Sequence, residues 1–242
     1  RGAVSRHHGA GTRAVGCQGI TGVAIGVEHW PAALFQQPPH AAFAAGDTAR
    51  QPYATLHVPE EDALSLPWRR MFSTWKPVPG GVTAPQGFTA AGWAAGLKPS
   101  GNPDLALLLA PEGAVCGGAF TRSVVRAACV DLCAQRLEAS GGRIRAVLIN
   151  SGQANACTGD RGLIDSQRAT QVLADRLGLS SDQVLICSTG VIGVPIPMPT
   201  LLAGLAPLVE ALDDAGGDAA ANAILTTDLV DKQVALELEL EG

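Results

Sequence analysis

Histidine is missing from every position after His57, which removes the commonest general base from most of the chain. A Ser-His-Asp or Cys-His arrangement is therefore excluded there unless the early segment folds back. Charge is also scarce. Charged residues make up 16% of the 242, the formal net charge is -5, and nothing resembles the basic footprint that a phosphate backbone demands. Nucleic acid is not expected as a partner. No apolar run reaches the roughly 18 to 20 residues of a membrane-spanning helix, because Gly, Pro or a charge interrupts every candidate, so no membrane association is expected either. Neither Gly-x-x-x-x-Gly-Lys-Ser/Thr nor Gly-x-Gly-x-x-Gly occurs, and nucleotide binding is disfavoured.

Six cysteines are present, Cys17, Cys116, Cys129, Cys133, Cys157 and Cys187, with no Cys-x-x-Cys pair among them. This usage suits a reducing, cytoplasmic setting. Cys129 and Cys133 stand four apart on an expected helix, where two small apolar residues on a buried face are favoured over a metal pair. No metal and no cofactor are expected. Hydrophobic residues make up 47%, enough to bury a core.

All five histidines (His7, His8, His29, His40, His57) fall within residues 1–75, which show no sustained helical or strand period. That stretch is read as an unassigned, poorly ordered N-terminal extension. The chain does not begin with Met, and its start reads as a cut end. Residues 76–242 read as one α/β domain, in which glycine-punctuated apolar runs alternate with amphipathic stretches.

Within that domain, residues 105–109 and 114–120 are expected as strands around the turn Pro111-Glu112-Gly113. Ser123 is expected to cap a helix with Val125, Ala128, Cys129 and Leu132 on one face, stopped by Gly141-Gly142. A strand over 144–149 delivers the chain into Asn150-Ser151-Gly152-Gln153-Ala154-Asn155-Ala156. A helix over 163–177 ends at Gly178, and a strand over 184–187 leads into Ser188-Thr189-Gly190-Val191-Ile192-Gly193. Thr200 is expected to cap the next helix, to about Leu212, and a short helix then runs through Ala223. Last, Val234, Leu236, Leu238 and Leu240 alternate with Glu237, Glu239 and Glu241 as a half-buried strand that wants a sheet neighbour, so the chain reads as truncated there too.

Three segments place small and hydroxyl residues directly after apolar runs: 150–156, 188–193 and 226–228. Ordinary strand-to-helix turns favour the same residue types. The functional alternative is that a Thr-Gly step lets a ligand oxygen approach the main chain, which is how an oxyanion hole is built. Amide chemistry without histidine would need a Thr, Ser or Cys activated by its own α-amine or by lysine, and the lysines are Lys76, Lys98 and Lys232.

At these residues the chain resembles the ornithine acetyltransferase (glutamate N-acetyltransferase) family. Four stretches carry the resemblance: Gly80-Gly81-Val82-Thr83-Ala84-Pro85 with Gly87-Phe88, then 150–159, 188–193 with its prolines, and 223–228. The resemblance implies a layered α/β sandwich of the self-cleaving ornithine acetyltransferase or DmpA-like type. It implies a precursor cut into α and β chains, assembled as two of each, whose freed Thr is the nucleophile. The implied reaction passes an acetyl group from N-acetylornithine to glutamate through an acetyl-Thr intermediate, and some members also draw on acetyl-CoA. By resemblance, Thr189 and Gly190 match the catalytic oxyanion pair and Thr226 matches the substrate-binding Thr, with Thr227 able to exchange roles in a one-residue shift. The family's cleavage site and β-chain ligands have no counterpart up to Gly242, so the chain alone is expected to be inactive. Two readings compete: a related self-cleaving N-terminal-nucleophile amidase or aminopeptidase, and a non-catalytic scaffold fragment.

Overall fold

The structure is a computed structural model and describes residues 76–237. The expected N-terminal extension with its five histidines, and Leu238 and Leu240 of the terminal alternation, lie outside the described residues.

Five residues form β2 (Thr89–Trp93), which runs antiparallel to β3 (Leu105–Leu109), Ala91 facing Leu107. On its other side β3 pairs antiparallel with β4 (Ala146–Gln153), and β4 pairs in parallel with β5 (Val184–Val191), Ile149 facing Cys187. The sheet order is β2-β3-β4-β5. A separate two-residue ribbon joins β1 (Lys76–Pro77) to β6 (Leu236–Glu237). Parallel neighbours need a long crossover, and here it is a helix, α2 (Gly159–Leu177). Gly178 ends it in the left-handed region at φ 66.

The pleat divides the core. Leu105, Leu107, Leu148 and Ile186 project to one face, where they meet α1 (Ala128–Ala139), α2 and α3 (Met198–Glu210) through Leu132, Leu173, Leu201 and Leu205. Ala90, Ala106, Leu108 and Ile149 project to the other, against Ala220 and Ala223 of α4 (Gly217–Ala223). That helix lies so close to β2 that a side chain on Gly92 would collide with the Ala219 carbonyl. The layered α/β arrangement agrees with the fold class expected from the sequence. Among the described residues no helix is long and apolar enough to cross a membrane.

Several expected boundaries are corrected. Residues 114–120 form no strand, because β2 and β4 already occupy both edges of β3. The segment is held instead by Cys116 N–H donating to Gly142 O (2.8 Å). Ser123 caps nothing: its hydroxyl donates to Val125 O (2.7 Å), Val125 is exposed, and the helix starts at Ala128 without a side-chain cap. Thr200 lies inside the first turn of α3, whose start carries Pro199, where a missing N–H costs nothing. Val234 is exposed and outside β6, so within the described residues the expected alternation reduces to Leu236 and Glu237.

The larger correction concerns the ends of β4 and β5. Asn150 to Gln153 and Ser188 to Val191 were expected as loops, yet they continue the parallel ladder, Ser151 pairing with Thr189 and Gly152 with Gly190. Asn150 and Ser188 are satisfied within the sheet. Ser188 donates its hydroxyl to Asn150 Oδ1 (2.6 Å), and Asn150 Nδ2 donates to Gln153 O (2.9 Å). Small polar residues thus sit in strand without an unpaired cost.

Candidate functional site

The backbone at the end of β5 is unusual for a strand. Gly190 has φ 128 and its partner Gly152 has φ 122, both in the region that side chains disfavour. A Cβ on Gly190 would fall 2.5 Å from Gly152 O and 2.8 Å from Gln153 N. Glycine is therefore required there by sterics, with no reference to function.

In a parallel ladder, alternate residues turn both main-chain groups toward the neighbouring strand or away from it. The outward set on β5 is identified by its contacts with α1. Arg136 Nη1 donates to Val184 O (2.6 Å), the Cys133 thiol donates to Ile186 O (3.1 Å), and Ile186 N–H donates to Cys133 Sγ (3.4 Å). The Cys129 thiol lies against Ser188, the next outward residue. Arg136, Cys133 and Cys129 thus cover the free edge of β5 from its start as far as Ser188. The same alternation turns the main chain of Gly190 outward, beyond the reach of α1. Gly190, Val191, Ile192 and Gly193 are exposed, while Thr189 is half-buried on the sheet face it shares with Ser151.

Burial raises the Cys129 and Cys187 thiols, and pushes Cys133 up to about 11. These are neutral, packed thiols at ordinary pH. Arg136 is lowered by burial, with Asp182 opposing the shift.

Thr226 follows α4, and the structure brings that turn to the same strand end. Ser151, in register with Thr189, donates its hydroxyl to Ala223 O (2.6 Å). Thr226 and Thr227 are both exposed, and nothing in the turn distinguishes one from the other. Asn155 turns away from the site. At φ 51 and buried, it spends Nδ2 on Gly162 O (3.0 Å) and Ser166 Oγ (2.8 Å), and it accepts from the Thr158 hydroxyl (2.9 Å), which anchors the start of α2. Gln153 is closer to the site: Nε2 donates to Leu97 O (3.1 Å), while its buried Oε1 has no partner among the described residues.

Two site-framing residues escaped sequence reasoning. Asp104 is fully buried, and its carboxylate accepts four main-chain N–H groups, from Ala95 (2.8 Å), Gly96 (3.0 Å), Leu97 (2.5 Å) and Lys98 (3.0 Å). Lys98 Nζ in turn donates to Pro103 O (2.7 Å), Leu225 O (2.6 Å) and Ala223 O (3.3 Å). Burial lowers the Lys98 ammonium, with the Asp104 charge opposing that shift. The signal was available: a lysine and an aspartate bracket the turn-forming run Pro99-Ser100-Gly101-Asn102-Pro103.

A cleft of about 550 Å³ lies between α1 and α2, lined among others by Arg136, Gln167, Arg168 and Asp182. It opens beside the start of β5, at the opposite end of the strand from Thr189, and includes none of the expected site residues.

Several known proteins are similar to this chain. A family model described as the ArgJ family matches residues 89–242. The arginine biosynthesis bifunctional protein ArgJ of Parasynechococcus marenigrum (strain WH8102) is 77% identical over 172 residues, covering 71% of this chain and 42% of that protein. The chain thus spans about two fifths of that relative's length. The crystal structure of ornithine acetyltransferase complexed with ornithine, from Mycobacterium tuberculosis, superimposes with a TM-score of 0.64 at 46% identity, covering 67% of this chain and 88% of that one. A second crystal structure, the arginine biosynthesis bifunctional protein from Bacillus halodurans, gives 0.59 at 31% identity, covering 69% and 93%.

Proposed function

The chain belongs to the ArgJ family, and from that membership we propose that residues 76–242 are the α-chain portion of an acetyl-transferring enzyme, contributing its oxyanion-stabilising pair and one wall of its substrate site. The proposed reaction moves acetyl from N-acetylornithine to glutamate, with acetyl-CoA as a further donor. A threonine of the companion β chain, freed by self-cleavage, attacks the acetyl carbonyl with its hydroxyl. The carbonyl oxygen becomes an oxyanion, held by the Gly190 N–H and the Thr189 hydroxyl. The threonine's own α-amine takes its hydroxyl proton and delivers it to the nitrogen as collapse breaks the C–N bond, so ornithine leaves as an amine and the acetyl group remains on the threonine. The glutamate amine then attacks that ester and releases N-acetylglutamate.

The single observation that carries this reading is the end of β5. Its free edge is covered by α1 up to Ser188, and the main chain then turns outward at Gly190 with no cover and no room for a side chain. A preorganised donor of that kind is worth about 3 to 4 kcal/mol in the transition state. Thr189 stands beside it, and Ser151 ties the Thr226 turn to the same register position. We read Thr226 as a substrate contact on this wall, and the assembly as two α and two β chains.

The test uses the complete coding region that contains this chain. Intact mass and N-terminal analysis should give two chains, the smaller beginning with threonine. Thr189→Val should then lower kcat for acetyl transfer about 10²-fold or more while Thr189→Ser retains most activity. Release of free acetate in place of N-acetylglutamate would favour the amidase reading. A single uncut, inactive chain would favour the scaffold reading.

A further inference from the structure

We propose that Lys98 is a positioning residue for the substrate wall: its ammonium holds the turn that leaves α4, and so sets where Thr226 stands relative to Thr189 and Gly190. The proposal rests on the roles given to those three residues above.

Lys98 Nζ donates to Leu225 O (2.6 Å), Pro103 O (2.7 Å) and Ala223 O (3.3 Å). An ammonium has three hydrogens and no lone pair. All three hydrogens are committed to main-chain oxygens, so no donor is left over for substrate and the contribution is geometric. Two of the acceptors belong to the end of α4 and to the residue before Thr226; the third belongs to the loop between β2 and β3.

That loop is a fixed platform. Its four amides converge on the buried carboxylate of Asp104, and Leu97 O accepts from Gln153 at the end of β4. The main-chain oxygen of Asp104 accepts from Ser151 N–H (2.8 Å), which ties the same platform to the strand that registers with Thr189. Helix α4, by contrast, has seven residues, too few to persist by their own hydrogen bonds. Ser151 secures it at Ala223 O, the last residue of the helix. The carbonyl of Leu225 is secured by Lys98, where a cation also suits the negative end of the helix. The line of support runs from Asp104 through the loop and Lys98 to Leu225, and Thr226 comes next.

The experiment compares wild type, Lys98→Met, Lys98→Arg and Thr189→Val in the complete, self-processed enzyme. It measures kcat and KM for N-acetylornithine, and amide hydrogen exchange peptide by peptide. Lys98→Met should raise KM about tenfold with kcat changed by less than about threefold, the scale expected when charged hydrogen bonds are lost from binding alone. Exchange should quicken over residues 224–229 and stay unchanged over β4 and β5. Lys98→Arg, whose planar fork cannot reach all three carbonyls, should fall between the two. An unchanged KM with unchanged exchange at 224–229 overturns the proposal. So does faster exchange throughout the chain, since that marks a merely structural residue. If Lys98→Met fails to accumulate or process, Lys98→Arg decides by the same two readouts. If Thr189→Val keeps full activity, the underlying oxyanion reading fails, while exchange at 224–229 in Lys98→Met still reports whether Lys98 holds the turn.

Discussion

Adding one methyl group at Gly190 tests the geometry of the site most directly. In Gly190→Ala the new Cβ would lie 2.5 Å from Gly152 O and 2.8 Å from Gln153 N, and φ would have to leave 128. Both contacts are main chain in a paired strand, so neither can swing aside. Holding a non-glycine residue in such a region costs about 1 to 3 kcal/mol. Escape from it requires the last pairs of the β4–β5 ladder to part. For a domain of this size about 2 kcal/mol lowers Tm by roughly 4 to 8 °C. Parting the strands also rotates the Gly190 amide, which on the proposed oxyanion role forfeits about 3 to 4 kcal/mol of transition-state stabilisation, or about 10² to 10³ in kcat. The assay is acetyl transfer from N-acetylornithine to glutamate by the complete enzyme, alongside a thermal melt. Gly152→Ala is the control for strain alone: its Cβ meets Leu97 O at 3.2 Å, and it destabilises without removing the amide. Gly190→Ala with Tm within about a degree of wild type and kcat within about threefold would refute both the steric and the oxyanion argument.

Other outcomes follow from the same structure. Asp104→Ala leaves four main-chain amides, that of buried Leu97 among them, without their acceptor and should cost about 3 kcal/mol in denaturant unfolding, with the residues after Trp93 losing exchange protection first. Gly92→Ala should lift α4 from β2, because the added methyl collides with the Ala219 carbonyl; a melt should show destabilisation of about 2 kcal/mol or more. Among the described thiols, exposed Cys157 should label with a maleimide in minutes at neutral pH, while Cys129 and Cys133 wait for unfolding, as read by peptide mass spectrometry. Because the folded Cys133 thiol titrates near 11 against an ordinary 9.0, its contribution to stability is complete below about pH 9 and is lost as pH rises through 11. Denaturant titrations across that range should show the fall, and Cys133→Ala should make it shallower.

Elements that answer to one local rule were legible in the sequence. The run ending at Gly178 announced α2, since a single glycine in the left-handed region stops a well-patterned helix. Cys129 and Cys133 were readable as a buried face. The polar strand ends were not. Asn150, Ser151, Ser188 and Thr189 have loop-like composition, and only the cross-strand partners that the fold supplies keep them in a ladder. Conversely, 114–120 looks like a strand but cannot pair with β3, because β2 and β4 already flank it on both sides. The Thr-Gly step was visible, and the resemblance implied a role for it. Its outward amide was not visible, since that depends on which residues of β5 meet α1. Lys98 and Asp104 stayed hidden for a related reason: each acts on main-chain atoms, which leave no mark in a side-chain pattern.

The cover that α1 lays over β5 also determines the size of partner the remaining edge can accept. An added β-strand needs several consecutive outward donors and acceptors to dock, and here Val184, Ile186 and Ser188 are already engaged by a guanidinium and two thiols. What remains past Ser188 is a short, kinked stub at Gly190. A stub of that length cannot template another chain, but it can receive a single atom. The same helix that protects the sheet from growing sideways therefore leaves only the Gly190 end of that edge exposed.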